Sequence, residues 1–202
     1  MSSIENILKF TKTLDAFRAV ERAAYVPRTG RLENDIEHCY MLAMLAWYII
    51  ETDGLELDVD KVMRYALIHD LVEVHAGDTP VFSSSHTQLQ NKAKREEEAL
   101  QRLKEEYGEF PDLFEWIETY EKRDDKESKF VYALDKLQPM LHIYLDGGRT
   151  WREEAVTLSR LVDHKKGKVD VSPEVERYLK ELVDILKKDE AKLFGKYLSD
   201  VI

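Results

Sequence analysis

The chain is expected to be all-α, and three observations carry that expectation. Apolar residues recur at three- and four-residue spacing through most of its length. Eight glycines and five prolines in 202 residues leave few of the tight turns that a sandwich or barrel needs. No segment alternates like a strand, and no repeat or low-complexity linker interrupts the chain. A length of 202 residues with 44% hydrophobic content suits one domain, 1–202, of about eight helices.

Ile4, Ile7, Leu8, Leu14, Phe17 and Val20 share one helical face, which predicts a first helix over about 3–24, ended by Pro27 and Gly30. Asn34 followed by Glu37 has the spacing of a capping box, so a second helix starts near 35 and stops at Asp53-Gly54. Asp58 and Asp60 offer N-caps for a third helix through Val62, Tyr65, Ile68 and His69, ending before Gly77. A loop over 78–86 leads into a charged helix with a wide solvated face, "QLQNKAKREEEALQRLKEEYG". Pro111 suits a first helical position, and "ESKFVYALDKLQPMLHIYL" reads as a helix in which Pro139 removes one backbone donor and should introduce a kink. "DGGRT" separates it from "WREEAVTLSRLVDH". Ser172-Pro173 opens a last helix with Val175, Tyr178, Leu179, Leu182 and Leu186 on its stripe.

The formal charge of −10 argues against a general grip on DNA or RNA, since phosphate backbones are bound by basic surfaces. The longest apolar run, "MLAMLAWYII", is about half of the roughly 20 residues that a membrane span requires. A single cysteine, Cys39, cannot form an internal disulfide and reads as a small buried hydrophobe, which suits a cytoplasmic protein.

Chemistry concentrates in "ALIHDLVEVHAGDTP", where an apolar helical run ends in His69, Asp70, Glu73, His75 and Asp78. Neighbours on a helix diverge by about 100°, so His69 and Asp70 can share one ion only with help from other helices. His38, in the first turn of the second helix, is one candidate. Asp135 is the other, because an aspartate within "FVYALDKLQPML" must be paired, hydrogen-bonded or metal-bound. Two imidazoles and two carboxylates suit a divalent ion with positions left for water; Mn, Co, Zn, Fe, Ni and Mg all remain open.

The order His38, His69-Asp70, Asp135 resembles the H…HD…D signature of HD-domain metal-dependent phosphohydrolases. "ENDIEH", "HDLVEVHAGDT" and "ALDKLQPML" resemble the branch containing the bacterial 5'-deoxynucleotidase, over about 25–165, with the C-terminal helix packed on that core. The resemblance implies a metal set of His38, His69, Asp70 and Asp135. It implies Glu73 as the acid that positions or deprotonates the attacking water, and Asp78 as a second acid that orients the sugar or protonates the leaving oxygen. It also implies that Arg28 holds the phosphate through its planar fork. Thr29 follows Arg28 where the deoxynucleotidase has a tryptophan beside the sugar.

The expected activity is hydrolysis of nucleoside 5'-monophosphates to nucleoside and phosphate, in a cytoplasmic homodimer with a nucleotide as its small-molecule substrate. Two alternatives stand beside it. One is pyrophospho- or triphosphohydrolysis, which usually brings extra basic residues around the site; few are evident near the motifs. The other is a non-catalytic nucleotide- or metal-binding module, which has no need of Glu73 or Asp78. Alone, each motif residue has an ordinary reading: His38 as a capped helix residue, Asp70 as a helix-end acid, Asp135 as a partner for Lys136. His75, His86 and His164 are expected to have no ligand role, and Lys129 is a lesser phosphate candidate than Arg28.

Overall fold

The computed structural model describes residues 3–79, 82, 84 and 86–195. Within the loop expected over 78–86, Pro80, Val81, Ser83 and Ser85 lie outside the described residues. Helix α1 spans Ile4–Phe17, capped by the Ser3 hydroxyl. The chain then forms strands β1 (Glu21–Tyr25) and β2 (Leu32–Asn34), paired antiparallel with Glu21 opposite Asn34 and Tyr25 opposite Leu32.

This ribbon corrects two expectations at once: the first helix ends about seven residues early, and there is a strand pair. "ERAAY" has helix-forming composition and no strand alternation, so only pairing with residues ten or so positions away makes it extended. The ribbon connects directly to α2 (Asp35–Asp53), because the Asp35 amide donates to Val20 O at 3.1 Å. At the start of α2 both halves of the capping box are made: the Glu37 amide donates to Asn34 Oδ1, and the Asn34 amide to Glu37 Oε2. Gly54 closes the helix with φ 63°, a conformation glycine adopts without a Cβ clash.

Helix α3 (Val59–Ile68) is capped by Asp58, and the expected continuation to Gly77 is interrupted. After the C-cap, His69, the chain tightens: the Glu73 amide donates to Asp70 O at 2.8 Å, a three-residue spacing, before the short α4 (Glu73–Ala76). The charged segment divides into α5 (His86–Gln90) and α6 (Lys92–Glu106). Pro111 does open α7 (Pro111–Lys122), and α8 (Lys126–Leu145) continues through Pro139. Then come α9 (Arg149–Glu153), α10 (Leu158–Lys165), α11 (Pro173–Lys188) and α12 (Glu190–Phe194). The elements are thus more numerous and shorter than eight long helices.

Helices α2, α3 and α8 pack on one another, and α8 also receives α11 and the ribbon. Leu42, Ala46, Val62, Tyr65, Ala66, Phe130, Leu134 and Leu137 fill the space between them with 2% exposure or less. A second cluster under α1 joins Phe17, Cys39, Leu71, Leu103, Tyr107 and Ile117. His38, His69 and Asp135 stand where these packed helices meet, so their positions are set by close-packed apolar neighbours on the same elements.

Candidate metal centre and its cavity

His38 projects from the first turn of α2, His69 from the end of α3, Asp70 from the following turn and Asp135 from the middle of α8. One ligand atom from each lies within 4.8 Å of all the others. His38 Nε2 is 3.0 Å from Asp135 Oδ1 and 3.3 Å from His69 Nε2, and His69 Nε2 is 3.0 Å from Asp70 Oδ2. The turn at the end of α3 explains how adjacent residues converge: Asp70 has left the helix on which the two side chains would diverge.

A hydrogen bond behind His69 prepares it as a ligand. His69 Nδ1 is 3.0 Å from the Ala66 carbonyl, which can only accept, so Nδ1 carries the proton and Nε2 offers a lone pair inward. Behind His38, Glu33 Oε2 is 3.9 Å from Nδ1, and Glu33 Oε1 is 2.9 Å from His142 Nδ1. Burial, reinforced by Arg22, holds His38 down to about 4, hence neutral at neutral pH. Burial alone would make the carboxyls of Asp70 and Asp135 harder to ionise. For Asp70 the pull of His69, whose proton Asp70 in turn holds well above the usual imidazole range until an ion displaces it from Nε2, outweighs burial, and for Asp135 the pull of Lys136 does, so both stay below the usual carboxylate range. Two inward-facing imidazole nitrogens and two ionised carboxylates make a donor set that fits a divalent ion.

Arg22, on β1, is the residue that sequence reasoning missed. Its Nη1 bridges Asp70 Oδ2 at 2.8 Å and the buried Asp35 Oδ1 at 2.9 Å. A lone arginine in a segment read as helix carried no signal of this; only the ribbon turns it toward the site. Arg28 is placed differently from what the resemblance implied. It sits exposed in the hairpin turn with φ 66°, outside the lining of the cavity described next, because the turn carries it away from the helices.

A cavity of about 960 Å³ opens beside the donor set and is lined by His69, Asp70, Glu73, Asp78, Arg22 and Asp135, among others. Glu73 is 2% exposed, with Oε1 3.5 Å from Lys92 Nζ. Burial, with Asp70, Asp78 and Asp35 nearby, pushes its carboxyl up to about 9. Burial also raises Asp78, against the pull of Arg22. The sparse basic surroundings expected from the motifs are not what the fold assembles: Lys92, Arg123, Lys136, Arg160, Lys165 and Lys168 also line the cavity. Lys129 is not in the lining and reaches Asp124 O instead. His75 pairs with Glu106 at 3.2 Å, linking α4 to α6 away from the ligand set.

The profile of the HD domain matches residues 14–176, and the chain belongs to the HD-domain family. Among characterised relatives, the bovine 5'-deoxynucleotidase HDDC2 is 30% identical over 139 residues, 67% of this chain and 65% of that protein. The human 5'-deoxynucleotidase HDDC2 is 31% identical over 139 residues, 67% of this chain and 66% of the other. The chain thus spans just under two thirds of the length of these relatives. A crystal structure from Magnetospirillum magnetotacticum, described as a predicted metal-dependent phosphohydrolase, superposes with a TM-score of 0.78 at 28% identity, covering 92% of this chain and 93% of that one. An HD-domain phosphohydrolase from Listeria innocua shares the fold, with a TM-score of 0.62 at 18% identity over 96% of this chain and 95% of the other.

Proposed function

We propose that the protein is a metal-dependent phosphomonoesterase that hydrolyses nucleoside 5'-monophosphates to nucleoside and inorganic phosphate. The observation that carries this reading is the convergence of His38, His69, Asp70 and Asp135 at the mouth of a cavity that also holds Glu73 and Asp78. The names of the HDDC2 relatives supply the substrate class.

His38, His69, Asp70 and Asp135 would hold one divalent ion, and the mixed nitrogen and oxygen set favours a first-row transition metal. Bound there, such an ion lowers the pKa of water and offsets phosphate charge. Glu73 receives the proton of the attacking water. The water oxygen bonds to phosphorus, the P–O5' bond breaks, and Asp78 delivers a proton to the departing O5'. Glu73 and Asp78 need opposite protonation states for these roles. A cation held by the four ligands would lower Glu73 from its raised value and leave it free to accept a proton, while burial keeps the Asp78 carboxyl above the usual aspartate range. Arg22 is a positioning residue: its fork fixes Asp70 between the ligand set and Asp35.

The exposed face of α2 presents Tyr40, Met41, Met44, Trp47 and Tyr48, and a second copy of the chain is the occupant proposed for it. Trp47→Glu should convert a dimer to a monomer in light scattering; an unchanged mass removes this face from the interface. Buried, unpaired Cys39 suits a reducing cytoplasm. Among the described residues no helix is long and apolar enough to cross a membrane.

The test is a panel of ribo- and deoxyribonucleoside 5'-monophosphates, with the matching 5'-triphosphates beside them, and protein reloaded with Mn, Co, Zn, Fe, Ni or Mg after chelation. Release of inorganic phosphate with at least one ion is expected. Metal-loaded protein that releases none from any nucleotide would sink the proposal, and release of pyrophosphate or triphosphate would favour the alternative hydrolase.

A further inference from the structure

One end of the cavity has no part in the reaction just described. Helix α10 turns the stripe Leu158, Leu161, Lys165 inward, at spacings of three and four residues. Packing alone calls for an apolar residue at the third position, yet Lys165 stands there with 8% exposure, lining the cavity. Among the described residues no carboxylate or hydrogen-bond acceptor is paired with its ammonium. An ammonium on a largely buried side chain, opening into the cavity with no carboxylate paired to it, marks a place where a counter-charge belongs.

The groups around it deepen the positive field. Lys168, just past α10, lines the cavity as well, while Lys136 on α8 is ion-paired with Asp135 Oδ2 at 2.5 Å. Lys168 Nζ is 2.8 Å from His164 Nε2, a contact in which the lysine donates to a neutral ring and keeps its charge. At the rim, the Arg160 guanidinium lies 5.1 Å from the centroid of the Phe82 ring, which gives it no compensating negative charge. Burial, with Lys136 and Lys168 close by and Asp135 only partly opposing them, holds the Lys165 ammonium down to about 7. The carboxylates Asp70, Glu73 and Asp78 lie with the ligand set, and Glu96, Glu97, Glu121 and Glu154 also line the cavity. Its volume of about 960 Å³ is near the upper end for small-ligand sites.

We propose that Lys165 and Lys168, with Arg160 at the rim, form a second anion subsite that binds a phosphate group of the substrate other than the one hydrolysed. The preferred substrates are therefore nucleoside 5'-monophosphates that carry a further phosphate elsewhere on the sugar. This rests on the phosphohydrolase reading for the chemistry at the metal set, and on Lys165 for the selection. The further phosphate is the one at the sugar 3' position, since a phosphate attached to the first would leave with it as pyrophosphate when the P–O5' bond breaks.

The experiment compares one deoxynucleoside as its 5'-monophosphate, 3',5'-bisphosphate and 5'-diphosphate, using metal-loaded wild type, Lys165→Met and Lys168→Gln. Wild type should favour the 3',5'-bisphosphate over the monophosphate by tenfold or more in kcat/KM, mainly through KM, and preference for the 5'-diphosphate overturns the subsite. Both variants should bring that ratio close to one. Monophosphate preference in wild type, or an unchanged ratio in both variants, overturns the subsite. If none of the three is hydrolysed, the phosphohydrolase reading fails separately, and calorimetric binding of the 3',5'-bisphosphate decides the subsite. Binding at least tenfold weaker in Lys165→Met supports it, and equal Kd values overturn it.

Discussion

Arg22 and Asp70 are joined at 2.8 Å although 48 residues separate them, and the same guanidinium nitrogen reaches Asp35 at 2.9 Å. The pair ties the ribbon to the turn after α3, and it fixes Asp70, the member of the proposed ligand set that stands past the C-cap of that helix. Two carboxylates on one buried guanidinium leave little freedom, because releasing either strands a charge.

Arg22→Ala should therefore destabilise the protein by roughly 3 kcal/mol, the range for breaking a buried pair from one side. Arg22→Lys keeps the charge and loses the fork, so it should recover part of the stability and less of the activity. Denaturant unfolding beside kcat checks this. A Tm unchanged in Arg22→Ala would show that the bridge carries no structural weight.

Asp135→Ala should lower bound metal from one equivalent to under about a tenth, read by elemental analysis after dialysis. Wild type should gain stability with added metal by mass action, about 2.7 kcal/mol at a free concentration 100 times Kd. Asp135→Ala should show no such gain; an equal rise of Tm with metal in both proteins would place the ion elsewhere.

Glu73→Gln should retain metal while kcat falls by at least about 100-fold, the lower range for loss of a general base. Its stability profile carries a second signature in chelator. The folded carboxyl is raised to about 9 from an unfolded value of 4.5. The native state thus holds a proton that the unfolded state has released, and this contribution is complete below pH 4.5 and disappears as pH climbs toward 9. Metal-free wild type should lose more than about 1 kcal/mol across that window relative to Glu73→Gln. Parallel profiles would show that Glu73 ionises normally.

Lys165 has the opposite sign. Its folded pKa is depressed from 10.5 to about 7, so the unfolded state binds the extra proton between these values and stability rises with pH across them. Below pH 7 the cost is complete, and Lys165→Met, which finishes the apolar stripe of α10, should raise stability by a few kcal/mol, roughly, at pH 6. The gain should shrink toward pH 10. A variant less stable than wild type at pH 6 would mean that the lysine is paired in solution.

Residue type and order alone made a good part of this protein legible. The capping box of Asn34 and Glu37, Gly54 after α2 and Pro111 at the start of α7 are local devices, so their outcome needs no knowledge of distant neighbours. His38, His69, Asp70 and Asp135 were legible for a different reason: few residue types bind metal, and an aspartate inside an apolar helix needs a partner. The same residues are the ones the fold brings within 4.8 Å.

What the tertiary structure alone decided is which side of each element faces the site. Residues 21–25 are extended only because 32–34 lie beside them, and that pairing delivers Arg22 to Asp70 while carrying Arg28 out to solvent. Lys165 and Lys168 belong to a segment whose composition reads as a solvated amphipathic end, and they meet Lys136 only through packing of helices about 30 residues apart. Metal ligands are constrained by chemistry, which a sequence displays; a field of charges is a sum over positions in space, which only the folded chain creates.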